Sequence, residues 1–315
     1  KIDETVLEKR ASLLRNDSVH GDFSGTVVAD LENSALIING TTVNIISANA
    51  PEDIDYTKYG INHALIIDNT GAFRDHDALS RHLKSKGADK VLLTAPGKGV
   101  PNIVHGVNHQ EHSPDTVDIF SAASCTTNAI TPVLKAIEDT FGVKSGHLET
   151  IHAYTNDQNL VDNFHGKYRR GRAAALNMVI TETGAGSAVS KALPSLEGKL
   201  TSNAIRVPVP NGSLAILNLD LEKATSLEAI NTTLKKYALE GDLVEQIKYE
   251  LSDELVSSDI VGCSAPAIFD SKATIVRPDG KNAILYIWYD NEYGYSHQVI
   301  RLAKYIAKVR RYTYY

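Results

Sequence analysis

The sequence predicts an α/β protein in two parts: a doubly wound parallel sheet that is incomplete at its N-terminus, then an α+β domain with a largely antiparallel sheet. Three observations carry this expectation. The chain has 315 residues, long for one core and in line with about two domains. Its first third alternates short apolar runs with helical stretches, the rhythm of strands joined by crossover helices. From about residue 146 the segments become longer and strand-like, broken by one clear helix, which favours antiparallel pairing.

In chain order, ALIINGTTVNIIS (35–47) sets Asn39-Gly40 between two β-rich runs and predicts a hairpin. ALIIDNTGAF (64–73) reads as a strand ending in a turn, and RDHDALSRHLKSKG (74–87), with Leu79 and Leu83 one turn apart, as a helix. DKVLLTAPG (89–97), IVHGVN (103–108) and TVDIFSAAS (116–124) continue the strands. AITPVLKAIEDTFG (129–142) spaces Ala129, Val133, Leu134, Ala136 and Ile137 for a helix, with Thr126, Thr127 and Asn128 as capping residues and Pro132 in its first turns. HLETIHAYT (147–155), NAIRVPVPNGSLAILNLDLE (203–222) and NAILYIWYDN (282–291) are strand-like, and SLEAINTTLKKYAL (226–239) is helical. SHQVIRLAKYIAKV (296–309) places Val299, Ile300, Leu302, Ala303, Ile306 and Ala307 on one helical face that must dock against something. The expected division is 1–124, 125–295 and a C-terminal helix over 296–315 packing back on the first domain. No internal repeat or low-complexity linker interrupts it.

Composition narrows the function classes. Hydrophobic residues make up 43% and charged residues 22%, ordinary for a folded soluble protein. A net charge of -6 argues against nucleic acid or an anionic membrane as the default partner. Cys125 and Cys263 are too few for a disulfide framework, which points to a reducing compartment and hence the cytoplasm. No apolar run reaches the roughly 18 residues a membrane span needs, and KIDETVLEKR at the start lacks the apolar core of a signal peptide.

Cys125 stands at the predicted start of the 129–142 helix, where the positive helix end lowers a thiol's pKa, so a nucleophile and a small packing residue are both open. His152, at the end of an apolar run, suits a general base or a core histidine, one of 11 in the chain. Lys167, Arg169, Arg170 and Arg172 cluster in HGKYRRGRAAALN, and Arg206 stands alone in NAIRVPVPNG. Guanidinium groups clamp phosphate, although a solvated loop or a nucleic-acid patch explains the cluster equally well. DNTGAF, TAPGKG and TETGAG are ligand loops or ordinary turns. Cys263 lacks helix-start chemistry and reads as structural. No G-x-G-x-x-G opens the chain, although a dinucleotide-binding doubly wound sheet normally carries one on its first turn.

DSVHG (17–21), ASCTTN (123–128), HAYTNDQ (152–158), RVPVPNGS (206–213) and WYDNEYGYS (288–296) occur in an order and at separations that resemble phosphorylating glyceraldehyde-3-phosphate dehydrogenases, from about Asn16 to Lys308. The resemblance implies a Rossmann-type sheet, Cys125 as nucleophile and His152 as its base. It implies that Ser124, Thr126, Thr155, Arg172, Thr183, Gly184 and Arg206 hold substrate and inorganic phosphate. Asn291 and Tyr295 would face the nicotinamide, and Asn69, Thr70, Gly71 and Thr94 would line the rest of the cofactor cleft. Residues 164–177 look like the family's S-shaped loop and imply a homotetramer. The family's first strand, glycine-rich loop and ribose-gripping acidic residue would precede Lys1, so NAD and NADP stay open as cofactors. Val209, where many members have threonine, is a mild departure, and the RRYTYY tail matches nothing. An erythrose-4-phosphate dehydrogenase would share every motif. A non-phosphorylating aldehyde dehydrogenase would leave the paired anion sites idle. A noncatalytic scaffold or RNA-binding remnant is the reading from a different class.

Overall fold

A computed structural model describes residues 4–309; the RRYTYY tail lies outside them. Contacts divide the chain into two units, residues 1–64 with 81–89, and residues 65–80 with 90–315.

The smaller unit opens with α1 (Glu4–Arg15), followed by the short pair β1 (Asn16–Asp17) and β2 (Gly21–Asp22), and by an antiparallel meander of β3 (Val27–Asp30), β4 (Ala35–Ile38) and β5 (Thr41–Asn44). Leu7 and Ala11, four positions apart and hence on one helical face, are the buried residues of α1, and Ala11 packs on Val27 and Leu36. Arg15 Nε closes the end of the helix on the Val27 carbonyl at 2.9 Å. The four-residue strands β4 and β5 meet at the expected hairpin, Asn39-Gly40, where φ is 49° and 81°. Two successive positive φ values are what a type I′ turn needs. Asn39 also accepts the Thr26 amide at 2.9 Å. A methyl group at Gly40 meets nothing within 4 Å, so Gly40→Ala carries only the backbone cost. It should destabilise the protein by about 1 kcal/mol, read as a lower midpoint in urea unfolding.

In the larger unit a three-stranded sheet runs in the order β6 (Ala64–Asp68), β7 (Ala88–Leu93), β8 (Ile119–Ser121), with β7 and β8 parallel from Val91↔Ile119 to Leu93↔Ser121. The single helix expected over 74–87 is instead a five-residue α2 (His76–Ser80) in this unit and a separate 3-10 turn at His82–Lys84 that belongs to the smaller one. Asp75 Oδ1 caps the start through the Ala78 amide at 2.9 Å, and Ser80 Oγ folds back onto the Asp77 carbonyl at 2.7 Å. Side-chain bonds of this kind compete with helix continuation.

From β8 the chain turns directly into α3 (Cys125–Phe141). The cap is Ser124, not the threonines expected: it has extended backbone and its Oγ accepts the Thr127 amide. Cys125 is therefore the first helical residue. α3 then leads into an eight-stranded sheet built from β9 (Val143–Ala153), β10 (Val179–Thr181), β11 (Leu200–Val207), β12 (Ser213–Leu221), β13 (Ile247–Glu250), β14 (Ala267–Asp270), β15 (Ile275–Val276) and β16 (Asn282–Tyr289). The order is β10-β11-β9-β12-β16-β14-β13, with β15 on β16. Pairing is antiparallel except for β11 with β9 and β13 with β14. β12 and β16 alternate buried and more exposed residues, as a sheet with one packed face requires. Leu148, Leu217, Leu219, Leu285 and Ile287 form that face with Ile130, Val133, Leu134 and Ile137 of α3. α4 (Ala185–Ala192) and α5 (Leu227–Leu239) complete it, α5 being capped by Ser226 through the Ala229 amide at 3.1 Å.

The last helix, α6 (Tyr293–Ile306), begins three residues before the predicted segment. Its Val299, Leu302 and Ile306 pack on Leu92, Ile103, Phe120 and Ala122, which places the C-terminal helix against β7 and β8. Ile300 is instead largely exposed. Among the described residues no helix is long and apolar enough to cross a membrane.

The candidate active site

Three elements of the larger unit converge on one point. β9 carries His152 near its end, and β11 runs parallel to β9 with Arg206 directly opposite His152. The start of α3 delivers Cys125. Its Sγ lies 3.4 Å from His152 Nε2. On the other side of the ring, His152 Nδ1 is 2.7 Å from the Ala153 carbonyl and 2.7 Å from Arg206 Nη1, and Arg206 Nη1 donates to that same carbonyl at 2.9 Å.

The helix start is fixed from several directions. Ala123 adopts φ 54°, a left-handed conformation that costs an alanine about 1 kcal/mol or more and tends to persist at functional sites. Tyr295 OH donates to its carbonyl at 2.9 Å. Asn128 Nδ2 holds the Ala122 and Ser124 carbonyls at 2.8 and 2.9 Å, and Gln298 Nε2 of α6 holds Asn128 Oδ1 at 3.0 Å. Tyr289 OH lies 2.9 Å from Thr126 Oγ1 and 2.7 Å from Thr150 Oγ1, joining α3 to β9, and its ring meets His152 edge-on. Thr150 sits two positions before His152, on the same strand face.

Burial, reinforced by Arg206 and Arg170, pulls His152 down to about 4. Burial also pushes the Cys125 thiol above its ordinary range, opposed by Arg206 and the Thr126 hydroxyl and amide, although part of the residue reaches solvent. Desolvation thus works against the positive helix end and Arg206, which favour the thiolate. His105, also depressed to about 4 by burial and its neighbour His109, adds to the consequence. Both histidines bind a proton near 6.5 when unfolded but only near 4 when folded. Stability is thus complete above about pH 6.5 and falls as pH drops from there toward 4. Urea midpoints should decline across that window, before most carboxylates titrate.

The remaining predicted residues spread over the larger unit. Ser124 and Thr126 flank Cys125. Thr155 follows β9, its carbonyl accepting the Gln158 amide at 2.9 Å. Asn291 is buried, and its Oδ1 accepts Ser213 Oγ at 2.8 Å; the Ala153 amide donates to that hydroxyl at 3.1 Å. Thr183 and Gly184 stand at the start of α4, where Thr183 Oγ1 accepts the Ala185 amide at 3.2 Å. Among the described residues no hydrogen bond joins them to Cys125 or His152. Arg172 is exposed and paired with Asp162 at 3.0 Å. Arg170 is the more enclosed arginine of that cluster, bound to Thr181 Oγ1 and Asp157, and its charge reaches His152. Asn69, Thr70 and Gly71 follow β6, where Asp68 accepts the Thr70 amide and hydroxyl at 2.8 and 2.7 Å. Thr94, after β7, donates its amide to the Asp68 carbonyl at 2.9 Å. These residues occupy the carboxyl ends of neighbouring strands, where open α/β sheets bind dinucleotides. The sequence reading missed Tyr289, Thr150 and Ser213. The period-two placement of Thr150 and His152 was the available signal, whereas nothing in WYDN marks Tyr289 as a hydrogen-bonding hub.

Two family models match the chain: "Glyceraldehyde 3-phosphate dehydrogenase, C-terminal domain" over residues 124–291 and "Glyceraldehyde 3-phosphate dehydrogenase, NAD binding domain" over residues 2–76. The chain belongs to the glyceraldehyde-3-phosphate dehydrogenase family. A glyceraldehyde-3-phosphate dehydrogenase-like protein of Pseudomonas aeruginosa strain UCBPP-PA14 is 57% identical over 307 residues, covering 97% of this chain and 66% of that protein. The glyceraldehyde-3-phosphate dehydrogenases of Priestia megaterium and glyceraldehyde-3-phosphate dehydrogenase 1 of Bacillus subtilis are each 41% identical, over 97% of this chain and 89% of theirs. As a member of this dehydrogenase family the chain carries the family's NAD-binding Rossmann domain, and Cys125 and His152 both fall within the matched C-terminal domain.

Proposed function

We propose that this chain oxidises glyceraldehyde 3-phosphate to 1,3-bisphosphoglycerate with NAD or NADP and inorganic phosphate, through a thioester on Cys125. The observation that carries this reading is the 3.4 Å approach of Cys125 Sγ to His152 Nε2, with Arg206 beside the ring. In the proposed division, residues 1–124 hold the cofactor, 125–295 perform the chemistry and the helix within 296–315 braces the first part. Asn69, Thr70, Gly71 and Thr94 would line the cofactor, Tyr295 would lie beside the nicotinamide and Asn291 would hold its carboxamide. With Asn291 Oδ1 fixed by Ser213, the amide NH2 is the group left to present, a donor set that suits a carboxamide oxygen.

Cys125 gives its proton to His152 as sulfur attacks the aldehyde, and His152 passes that proton to the alkoxide oxygen, giving a thiohemiacetal and a neutral imidazole again. A nicotinamide held by Asn291 and Tyr295 would supply the oxidising power, as a hydride acceptor. His152, through the same Nε2, serves as base for the hydroxyl proton as the thioester forms. Inorganic phosphate then attacks the thioester carbonyl, releasing the acyl phosphate and restoring the sulfur. Arg206, Thr155, Ser124, Thr126, Arg172, Thr183 and Gly184 would supply the two anion sites. Arg206 Nε is buried with no partner among the described residues, as a donor reserved for an anion would be.

A homotetramer in the cytoplasm completes the proposal. Leu160, Val161, Phe164, Tyr168, Leu176 and Met178 all expose most of their side chains along one loop, an apolar surface that supports assembly with further copies. Aldehyde-dependent reduction of NAD and of NADP, measured with and without inorganic phosphate, tests the reading. Phosphate-dependent turnover is expected. Equal turnover without phosphate would point to a non-phosphorylating dehydrogenase, and a preference for erythrose 4-phosphate to that relative.

A further inference from the structure

We propose that Gln298 is a positioning residue for Cys125: its amide, held in one orientation by Arg301, fixes Asn128 and, through Asn128, the corner of backbone from which the sulfur projects. The role rests on the function proposed above, since that is the reaction it serves.

The corner between β8 and α3 needs holding. Ala123 takes a φ of 54°, so the backbone relaxes unless bonds on both sides oppose it. Asn128 Nδ2 donates to the Ala122 and Ser124 carbonyls at 2.8 and 2.9 Å, and Tyr295 OH to the Ala123 carbonyl at 2.9 Å. Asn128 is only 1% exposed, so its amide must turn NH2 to those carbonyls and its oxygen to a donor. Flipped, it would aim Oδ1 at two carbonyl oxygens with no water to relieve either group.

Gln298 is that donor. Its Nε2 lies 3.0 Å from Asn128 Oδ1 and 2.6 Å from Gln246 Oε1, and all three amides are buried. A glutamine amide has two ways to face, and Arg301 removes the choice. Arg301 Nη1, a donor in every state, stands 2.9 Å from Gln298 Oε1, which leaves NH2 as the group that points at Asn128. The arginine is itself held by the Ser264 carbonyl at 3.0 Å and by Glu245 at 3.4 Å. Gln246 completes the set, its Nε2 facing His105 Nδ1 at 3.3 Å. Orientation therefore passes from a fixed cation through two amides to the carbonyls on either side of Ala123. Tyr295 and Gln298 stand three positions apart on one face of α6, so a single helix secures the carbonyls of residues 122, 123 and 124. None of Gln298, Arg301 and Gln246 bonds Cys125 or His152 among the described residues. Their effect on the sulfur is positional: release of Asn128 frees two of the three carbonyls, and the first turn of α3, with Cys125 as its first residue, moves with them.

Gln298→Glu tests this, because a carboxylate keeps the side-chain length and the bond from Arg301 yet has no hydrogen to give Asn128. In the full chain, kcat for aldehyde-dependent cofactor reduction should fall roughly 10- to 100-fold, the scale of a misplaced reacting group, while KM for the aldehyde changes less than about twofold. Alkylation of Cys125 by iodoacetamide, read by peptide mass spectrometry, should slow as well. A merely structural glutamine would lower the urea midpoint and leave both rates of the folded protein alone, and that result overturns the proposal. Arg301→Met, which removes the group that orients the amide, should lose kcat in the same way, and Arg301→Lys, which keeps a cationic donor, should recover most of the loss. Equal kcat in the two Arg301 variants contradicts the proposal even if Gln298→Glu does not fold. Alkylation needs no substrate, so the two readings fail separately. Slowed alkylation in a chain that does not oxidise glyceraldehyde 3-phosphate keeps the positioning role and removes the function; wild-type turnover with unaltered variants does the opposite.

Discussion

Cys125→Ala should lower aldehyde-dependent cofactor reduction by at least about 10^3-fold, because the nucleophile that makes the covalent intermediate is gone. The fold should survive. Cys125 is the first residue of α3, it is partly exposed, and its sulfur meets His152 and the neighbouring Thr126 hydroxyl and amide. The surrounding anchors, Ser124 on the Thr127 amide, Asn128 on the Ala122 and Ser124 carbonyls, and Tyr289 between two threonines, do not involve the sulfur. A loss of turnover with an unchanged unfolding midpoint therefore isolates chemistry from stability. Turnover retained at the wild-type rate would make the cysteine a packing residue.

His152→Asn should cost roughly 10^2- to 10^4-fold in turnover, the usual range for losing a positioned general base. It should also weaken the dependence of stability on acidity. His152 destabilises the fold as pH falls from about 6.5 toward 4, because burial and Arg206 resist its protonation. An asparagine has no proton to gain, so the urea midpoint of the variant should decline less over that window. The remaining decline belongs to the other histidines that burial depresses, His105, His109 and His297. Activity and acid sensitivity then report the same buried imidazole through unrelated measurements, and a variant with wild-type turnover would remove His152 from the mechanism.

The fold was legible where a local rule dominates. Asn39-Gly40 announced its hairpin because only such a pair accepts two positive φ values cheaply. α5 and α6 followed from apolar spacing that tertiary packing then used at Ile230, Leu234, Val299 and Leu302. α1 escaped notice because, among its described side chains, it buries only Leu7 and Ala11 on a highly charged helix, too thin a stripe to stand out. The helix of 74–87 was overcalled, since Asp75 and Ser80 side chains divert the backbone in ways that spacing does not register. Of the candidate site, Cys125, His152 and Arg206 were named from sequence, but their meeting depends on the parallel pairing of β11 with β9, which joins strands about 50 residues apart in sequence. The depressed basicity of His152 and the raised thiol pKa were not legible, because both follow from burial created by the assembled sheet and helix.

The claim on which the account turns is that the aldehyde carbon becomes bonded to Cys125. Intact-mass and peptide mass spectrometry of the chain, after mixing with glyceraldehyde 3-phosphate and oxidised cofactor in the absence of phosphate, tests it most directly. The account predicts one acyl group on the peptide containing Cys125, removed when phosphate is added and never formed in Cys125→Ala. An unmodified chain during active turnover, or an acyl group on another residue, would contradict it.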